Sequence, residues 1–285
     1  MLVIAIQPSS SAAFAQRTVT NLNKNWKFIL DEDKTTFSSK ETDDKNWTVL
    51  DIPHDWSFQK GVRVGGDQGQ GGGYHDGGIG WYRKTIHVNK ASLEKITYLC
   101  FDGVYMNSKV WINGNLLGKR PYGYISFRYD ISEYLHEGEN TIAVRVDNSL
   151  EPSARWYHPC GIYAPVNLVE VHPLHVSPNG IFVTTPEISK EKGMVNAEIS
   201  LSAAASVKKK SIIKTTILSS DGKTHATVQK SFSEVGKPFS VKMEVENPQL
   251  WSPETPVFLP FFPPSGYIGF SPPTCILSFQ IFNYL

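Results

Sequence analysis

Two all-β sandwiches in tandem are predicted by three features of this chain. Short runs of alternating apolar and polar residues recur from Arg17 onward, separated by Gly, Pro, Asn and Asp. That punctuation is typical of antiparallel sandwiches, whose strands each bury one face. Asn113-Gly114, set between Val110-Trp-Ile112 and Leu116-Leu117, is a strong hairpin signal, because both residues accept the positive φ angles of a type I′ turn. The length of 285 residues then suggests two domains.

The expected strands of the first unit follow in order. Asn25–Leu30 alternates and leads into the polar loop Asp31–Asp44; Trp47–Ile52 precedes Pro53-His-Asp-Trp56. Trp81–Val88, Ile96–Asp102, Ser108–Ile112, Phe127–Ile131, Asn140–Val146 and a closing strand Asn167–His172 complete the set. A second unit starts near Val176, with strands over Gly180–Thr184, Gly193–Ala203, Ser211–Leu218, Thr224–Ser231 and Pro238–Val245, and a turn at Ser219-Ser-Asp-Gly222. Lys208-Lys-Lys210 reads as a solvated edge that discourages sheet pairing. Val257–Leu285 differs in character, with five prolines, many aromatics and no charged residue. Prolines interrupt sheets and membrane helices, and an uncharged apolar end suits a soluble domain badly. A frameshift just past Pro256 would account for such a tail.

Composition excludes several classes. A formal net charge of +1 with 40% hydrophobic residues argues for a folded core and against nucleic acid or an anionic membrane as partner. No stretch is long enough for a spanning helix. Cys100, Cys160 and Cys275 are too few and too scattered for a disulfide framework or a zinc site. Cys100 reads as a small core residue, and His172 with His175 lacks a partner cluster for a metal. Neither cofactor nor metal is expected. Met1–Ile6 followed by a Ser/Ala run ending Ala13-Phe-Ala15 resembles the end of a signal peptide. Residues 1–15 are therefore expected to be a leader remnant, and the protein periplasmic or secreted.

Two segments carry the functional signal: Gly71–Thr85 (GGGYHDGGIGWYRKT) and Arg155–Tyr163 (RWYHPCGIY). Glycine lets a loop lie close to a neighbouring surface. Aromatic rings on such loops suit sugars, whose C–H faces stack on them while hydroxyls seek polar partners. Tyr74, His75, Asp147, Arg155 and Trp156 are the candidate substrate-binding residues. The same loops also read as well-packed sandwich turns with no ligand, and Trp26, Trp47, Trp56, Trp81 and Trp111 as packing residues.

Leu22-Asn-Lys-Asn-Trp26-Lys-Phe28, Ile52-Pro-His-Asp-Trp56, Gly80-Trp-Tyr-Arg-Lys84, Phe101-Asp-Gly-Val104, Val110-Trp-Ile-Asn-Gly114 and Gly138-Glu-Asn140 together resemble glycoside hydrolase family 2. The resemblance implies a jelly-roll (galactose-binding-like) sugar-binding domain over 16–174. It implies an immunoglobulin-like domain over 175–256, ending at Asn247-Pro-Gln-Leu-Trp-Ser-Pro. The flavour is β-galactosidase-like, so the implied ligand is a β-galactoside-like glycan. In relatives the first domain shapes a wall of the sugar pocket and makes subunit contacts, which admits a homo-oligomer. Arg155 stands where such enzymes often carry an aspartate that reaches that pocket. An arginine fork there suits a hydroxyl pair or a carboxylate, or pairs with Asp147. The relatives use His54-Asp55 to fix a strand end, so it is assigned no chemistry.

Retaining glycosidases need two carboxylates about 5 Å apart, which the family carries on a following (β/α)₈ barrel of on the order of 250 residues. The residues after Pro256 contain no Asp or Glu. Hydrolysis by the family mechanism is not expected from this sequence alone. A stand-alone carbohydrate-binding module and a purely structural sandwich pair are the competing readings.

Overall fold

A computed structural model describes residues 17–30, 33–150, 156–204, 211–218, 224–232, 236–248, 250 and 276–283. They fall into two compact units that divide between Glu170 and Val171. Arg155, Ala13–Ala15, Lys208–Lys210 and most of the expected tail lie outside the described residues.

In the first unit the strands are β1 (Thr18–Asn21), β2 (Trp26–Leu30), β3 (Thr48–Leu50), β4 (Gly78–Val88), β5 (Ile96–Phe101), β6 (Ser108–Ile112), β7 (Asn115–Arg120), β8 (Phe127–Asp130), β9 (Gly138–Asn148) and β10 (Val166–Val171). They form a six-stranded sheet in the order β3-β2-β4-β9-β6-β7 and a four-stranded sheet in the order β1-β10-β5-β8. Alternation decides what each face buries. Phe28, Tyr82, Ile86, Val110, Ile112, Ile142, Val144 and Val146 of the larger sheet meet Leu99, Phe101, Phe127 and Val166 of the smaller one in a single core. The Asn113-Gly114 turn has φ values of 50° and 80°, as a type I′ hairpin requires, and joins β6 to β7 in antiparallel register.

The outer face of the six-stranded sheet has its own small core. Phe37, Trp47, Trp81 and Ala143 pack there, beneath the segment that precedes β3. Arg83, 3% exposed, staples that segment down. Its Nε donates to Asp44 Oδ2 at 2.9 Å, and Nη1 donates to the carbonyls of Phe37 and Ser39, each at 2.7 Å. Trp26, Trp47, Trp56 and Trp81 are buried, in keeping with their reading as packing residues.

The second unit holds β11 (Leu174–Ile188), β12 (Lys192–Ala203), β13 (Ser211–Leu218), β14 (Thr224–Phe232), β15 (Phe239–Glu246) and β16 (Ile276–Asn283). They form two three-stranded sheets, β11-β12-β15 and β14-β13-β16. Leu174, Ala197, Ile199, Leu201, Ile213, Ile217, Val241, Met243 and Val245 fill the core between them. The all-β class, a jelly-roll-type sandwich followed by an immunoglobulin-like one, is the observed fold.

Three local features differ from expectation. Residues Trp56–Lys60 form a short helix, α1, capped by Asp55, whose carboxylate accepts from the N–H groups of Ser57 and Phe58. Ile276–Asn283 pairs with β13 although the tail was expected to resist sheet formation. It follows the last proline of the chain, so every N–H needed for the ladder is present. Cys100 is only half-buried, on the alternate side of β5 from Leu99 and Phe101; among the described residues Cys160 is the buried thiol.

Candidate functional site

The loops at one end of the first sandwich converge around α1. Asp55 is the pivot. Beyond capping the helix, its Oδ1 accepts from the Cys160 N–H at 3.1 Å and its Oδ2 from the Tyr157 hydroxyl. The turn after Arg155 is thereby tied to the helix N-terminus. Burial, and the bond to the Asp55 carboxylate, push the Tyr157 phenol well above its ordinary range. Burial likewise pushes the Cys160 thiol up to about 11, so it is a packed neutral group and not a nucleophile.

The glycine loop is anchored by ions and by backbone. Arg63 forks onto the buried Asp76 carboxylate, with Nε–Oδ2 and Nη2–Oδ1 both 2.8 Å. The Arg63 N–H donates to the Tyr74 carbonyl, and the Tyr74 N–H to that of Gly69. Gly77 is obligatory for space: an added Cβ would lie 2.1 Å from the Asn148 carbonyl oxygen. Gln68 Nε2 donates to that same oxygen at 3.1 Å. Within this frame His75 packs edge-on against Tyr157, centroids 4.7 Å apart, with Nδ1 3.2 Å from the Ser57 carbonyl. Tyr74, at φ 58°, presents a 40% exposed ring.

A second aromatic group completes this end. Tyr105 stacks on His158 with centroids 4.9 Å apart and ring planes 4° from parallel. Tyr124 lies edge-on to Tyr105, and its hydroxyl bonds His158 Nδ1. Tyr163 donates to the Gly123 carbonyl at 2.7 Å, fixing the loop that carries Tyr122 and Tyr124. Tyr122, Tyr124, Ile125 and Trp156 remain exposed, Trp156 by 74%.

Of the residues singled out from the sequence, Tyr74, His75 and Trp156 stand at this loop end, and Arg155 lies outside the described residues. Asp147 is elsewhere. It pairs with Ile79 across β9 and β4 and faces outward, whereas its neighbour Asn148 turns inward to Cys160 Sγ at 2.9 Å. The partner of Asp147 is Arg145, 3.1 Å away. Burial raises the Asp147 pKa, but Ser149 and Arg145 outweigh it and hold the carboxyl below its ordinary value. Tyr105, Tyr122, Tyr124 and His158 were not singled out. Pro121-Tyr-Gly-Tyr124 repeats in miniature the Gly/aromatic pattern of the longer loop, and could have pointed to them.

Asp147 instead lines a shallow cleft of about 320 Å³ on the outer face of the six-stranded sheet, with Asp33, Trp81, Asn107, Lys109, Trp111, Lys119 and Arg145 among its walls. Arg145 forks onto Asp33, with Nε–Oδ1 and Nη2–Oδ2 both 2.7 Å. That fork is the main cause holding the Asp33 carboxyl below its ordinary pKa. Among the described residues, no His/Cys/Asp/Glu cluster could hold a metal, and no helix is long and apolar enough to cross a membrane. His172 and His175 are bonded within their own turn, to Leu174 and to the His172 carbonyl.

Comparison with known proteins places this architecture. Residues 19–173 match the sugar binding domain of glycosyl hydrolases family 2, and residues 175–258 match a second family 2 domain. A putative beta-glucuronidase of Formosa agariphila is 62% identical over 85% of this chain, but over only 23% of its own length. A beta-galactosidase of Bacteroides ovatus is 40% identical over 87% of the chain and 30% of its own length. Among solved structures, a beta-glycosidase from Bacteroides vulgatus superposes with a TM-score of 0.76 at 38% identity, covering 84% of this chain and 30% of its own. The chain thus spans under a third of the length of these relatives. Two consecutive family matches and the two sandwiches together assign it to glycosyl hydrolases family 2, as the N-terminal sugar-binding and immunoglobulin-like portion.

Proposed function

We propose that the loop end of the first sandwich is the carbohydrate-contacting wall of a family 2 β-glycosidase of β-galactosidase type. The carrying observation is the set of exposed rings (Tyr74, Tyr122, Tyr124 and Trp156) held on loops that Asp55, Asp76 and Tyr163 make rigid. Rigid aromatic platforms stack on pyranose faces at little entropic cost. In this reading cleavage belongs to the barrel that family resemblance puts after Trp251-Ser-Pro253, and the present domains orient the glycan.

A β-glucuronoside is the second reading for the ligand. The 62%-identical relative is called a putative beta-glucuronidase, and Arg155, next to Trp156 in sequence, suits a uronate carboxylate. Ligand-observed NMR of the chain with methyl β-galactoside and methyl β-glucuronide tests both. We expect weak, millimolar binding of the galactoside that Tyr124→Ala and Trp156→Ala together abolish. Saturation transfer from neither sugar that the double variant loses would refute the proposal, and glucuronide transfer alone that the double variant loses would select the second reading. The Ala13-Phe-Ala15 pattern supports export; cell fractionation that finds the protein retained in the cytosol would contradict it.

A further inference from the structure

The outer-face cleft carries three cationic side chains, Lys109, Lys119 and Arg145, against two carboxylates, Asp33 and Asp147. Register places one residue per strand in a row across the sheet. Ile29 of β2 opposes Trp81 of β4, Trp81 opposes Arg145 of β9, Arg145 opposes Lys109 of β6, and Lys109 opposes Lys119 of β7. Arg145 is saturated by Asp33 and Asp147. Lys109 and Lys119 are not: among the described residues neither forms an ion pair, although Lys109 acts on Asp33 through its longer-range field, and both line the cleft. Like charges directly opposite one another on antiparallel strands are destabilising. An edge strand explains a lysine at 119 as protection against sheet pairing, but β6 is an interior strand, so that reason does not extend to Lys109. Beside the lysines, Trp111 stacks on Trp81 with centroids 5.2 Å apart and planes 23° from parallel. Leu150, 74% exposed, closes the rim.

We infer that this cleft is a second saccharide site, separate from the loop end and selective for a sugar carrying an anionic oxygen group, a carboxylate or a sulfate ester. The ring lies against Trp111, and the anionic group sits between Lys109 and Lys119, relieving their repulsion with charge-assisted hydrogen bonds. The cleft volume of about 320 Å³ is at the lower end of the range for small-molecule sites, which suits one or two sugar units. This inference does not depend on the loop-end reading, because no ring of that end lines the cleft.

Tryptophan fluorescence and calorimetry of the full chain, with four probes, test it: methyl β-glucuronide, galactose 6-sulfate, methyl β-galactoside and inorganic sulfate. We expect saturable millimolar binding of the glucuronide, the sulfated sugar or both, weakened by salt, with the neutral galactoside and inorganic sulfate binding more weakly. Whichever anionic sugar binds names the anionic group. Lys109→Met and Lys119→Met keep the aliphatic stems and should each weaken binding about tenfold or more. Tyr124→Ala should leave this binding unchanged, which separates the site from the loop end. Near-UV circular dichroism confirms that each variant keeps its fold. Binding by neither anionic sugar, equal binding of the neutral galactoside or of inorganic sulfate, or indifference to both lysine substitutions would overturn the inference. Self-association of Lys119→Met with unchanged ligand response would likewise overturn it, marking the lysines as edge protection.

Discussion

Asp55 and Tyr157 are separated by a long stretch of sequence, yet the tyrosine hydroxyl donates to the carboxylate that caps α1. One aspartate therefore holds a helix start and the turn bearing Trp156 in a fixed relation. Removing it should loosen both. Asp55→Ala forfeits an N-cap, about 1 kcal/mol, together with the bonds from Tyr157 and the Cys160 N–H, about 1 kcal/mol each. Tyr157→Phe loses only one of these. Urea denaturation should show roughly 2–3 kcal/mol for the first and roughly 1 kcal/mol for the second; equal losses would show that neither the cap nor the Cys160 N–H bond contributes.

Arg83 is buried with one carboxylate and two carbonyls as partners. Truncating it strands the Phe37 and Ser39 carbonyls and leaves Asp44 with Lys27 alone. Arg83→Ala should cost about 3–5 kcal/mol, read as a fall in the denaturation midpoint. A loss below about 1 kcal/mol would place the ion pair in solvent.

Acid should weaken the first unit in a defined window. Hydrogen bonding from Arg63 depresses the Asp76 pKa, and that from Arg145 depresses Asp33; in Asp44, burial raises it but Lys27 and Arg83 prevail. A carboxyl whose folded pKa lies below its unfolded value contributes fully above the unfolded value, about 3.9. It loses that contribution as pH falls through the folded value. Stability measured by denaturant titration should thus be flat in these groups above roughly pH 5 and fall below about pH 4. Asp76→Asn should shrink the acid slope while lowering stability at neutral pH; an unchanged slope would contradict the assignment.

Gly161 has φ 129°, and a Cβ there would lie 2.6 Å from the His54 carbonyl oxygen and 2.3 Å from the Tyr82 hydroxyl. Backbone on one side and the core on the other leave no room to yield. Gly161→Ala should lose about 2–4 kcal/mol from overpacking and left-handed strain. Gly65, with open space around its added Cβ, should bear only the backbone part. Comparable melting temperatures for the two alanine variants would refute the packing argument.

Cys160 should resist alkylation in the folded protein, since the thiolate is the reactive form and burial raises its pKa to about 11. Mass spectrometry after iodoacetamide treatment should find it labelled only once denaturant is present. Labelling under native conditions would mean that the loop end opens readily.

The strands were legible because alternation is local. Ser108–Ile112 and Ser211–Leu218 were delimited to the residue, and the Asn113-Gly114 turn announced its own φ angles. The short helix at Trp56 was not, because its stability rests on the side chain of Asp55 and on partners a hundred residues away. The six family motifs were likewise readable, since they are short and ordered along the chain.

Sequence alone determined the all-β class, the two sandwiches and the family, because period-two alternation and turn chemistry act between near neighbours. Which candidates share a surface followed from long-range packing. It set His75 beside Tyr157, turned Asp147 away toward Arg145, and aligned Trp81, Arg145, Lys109 and Lys119 in one row. Strand register fixes those neighbours, and register between distant strands follows from how their buried faces pack.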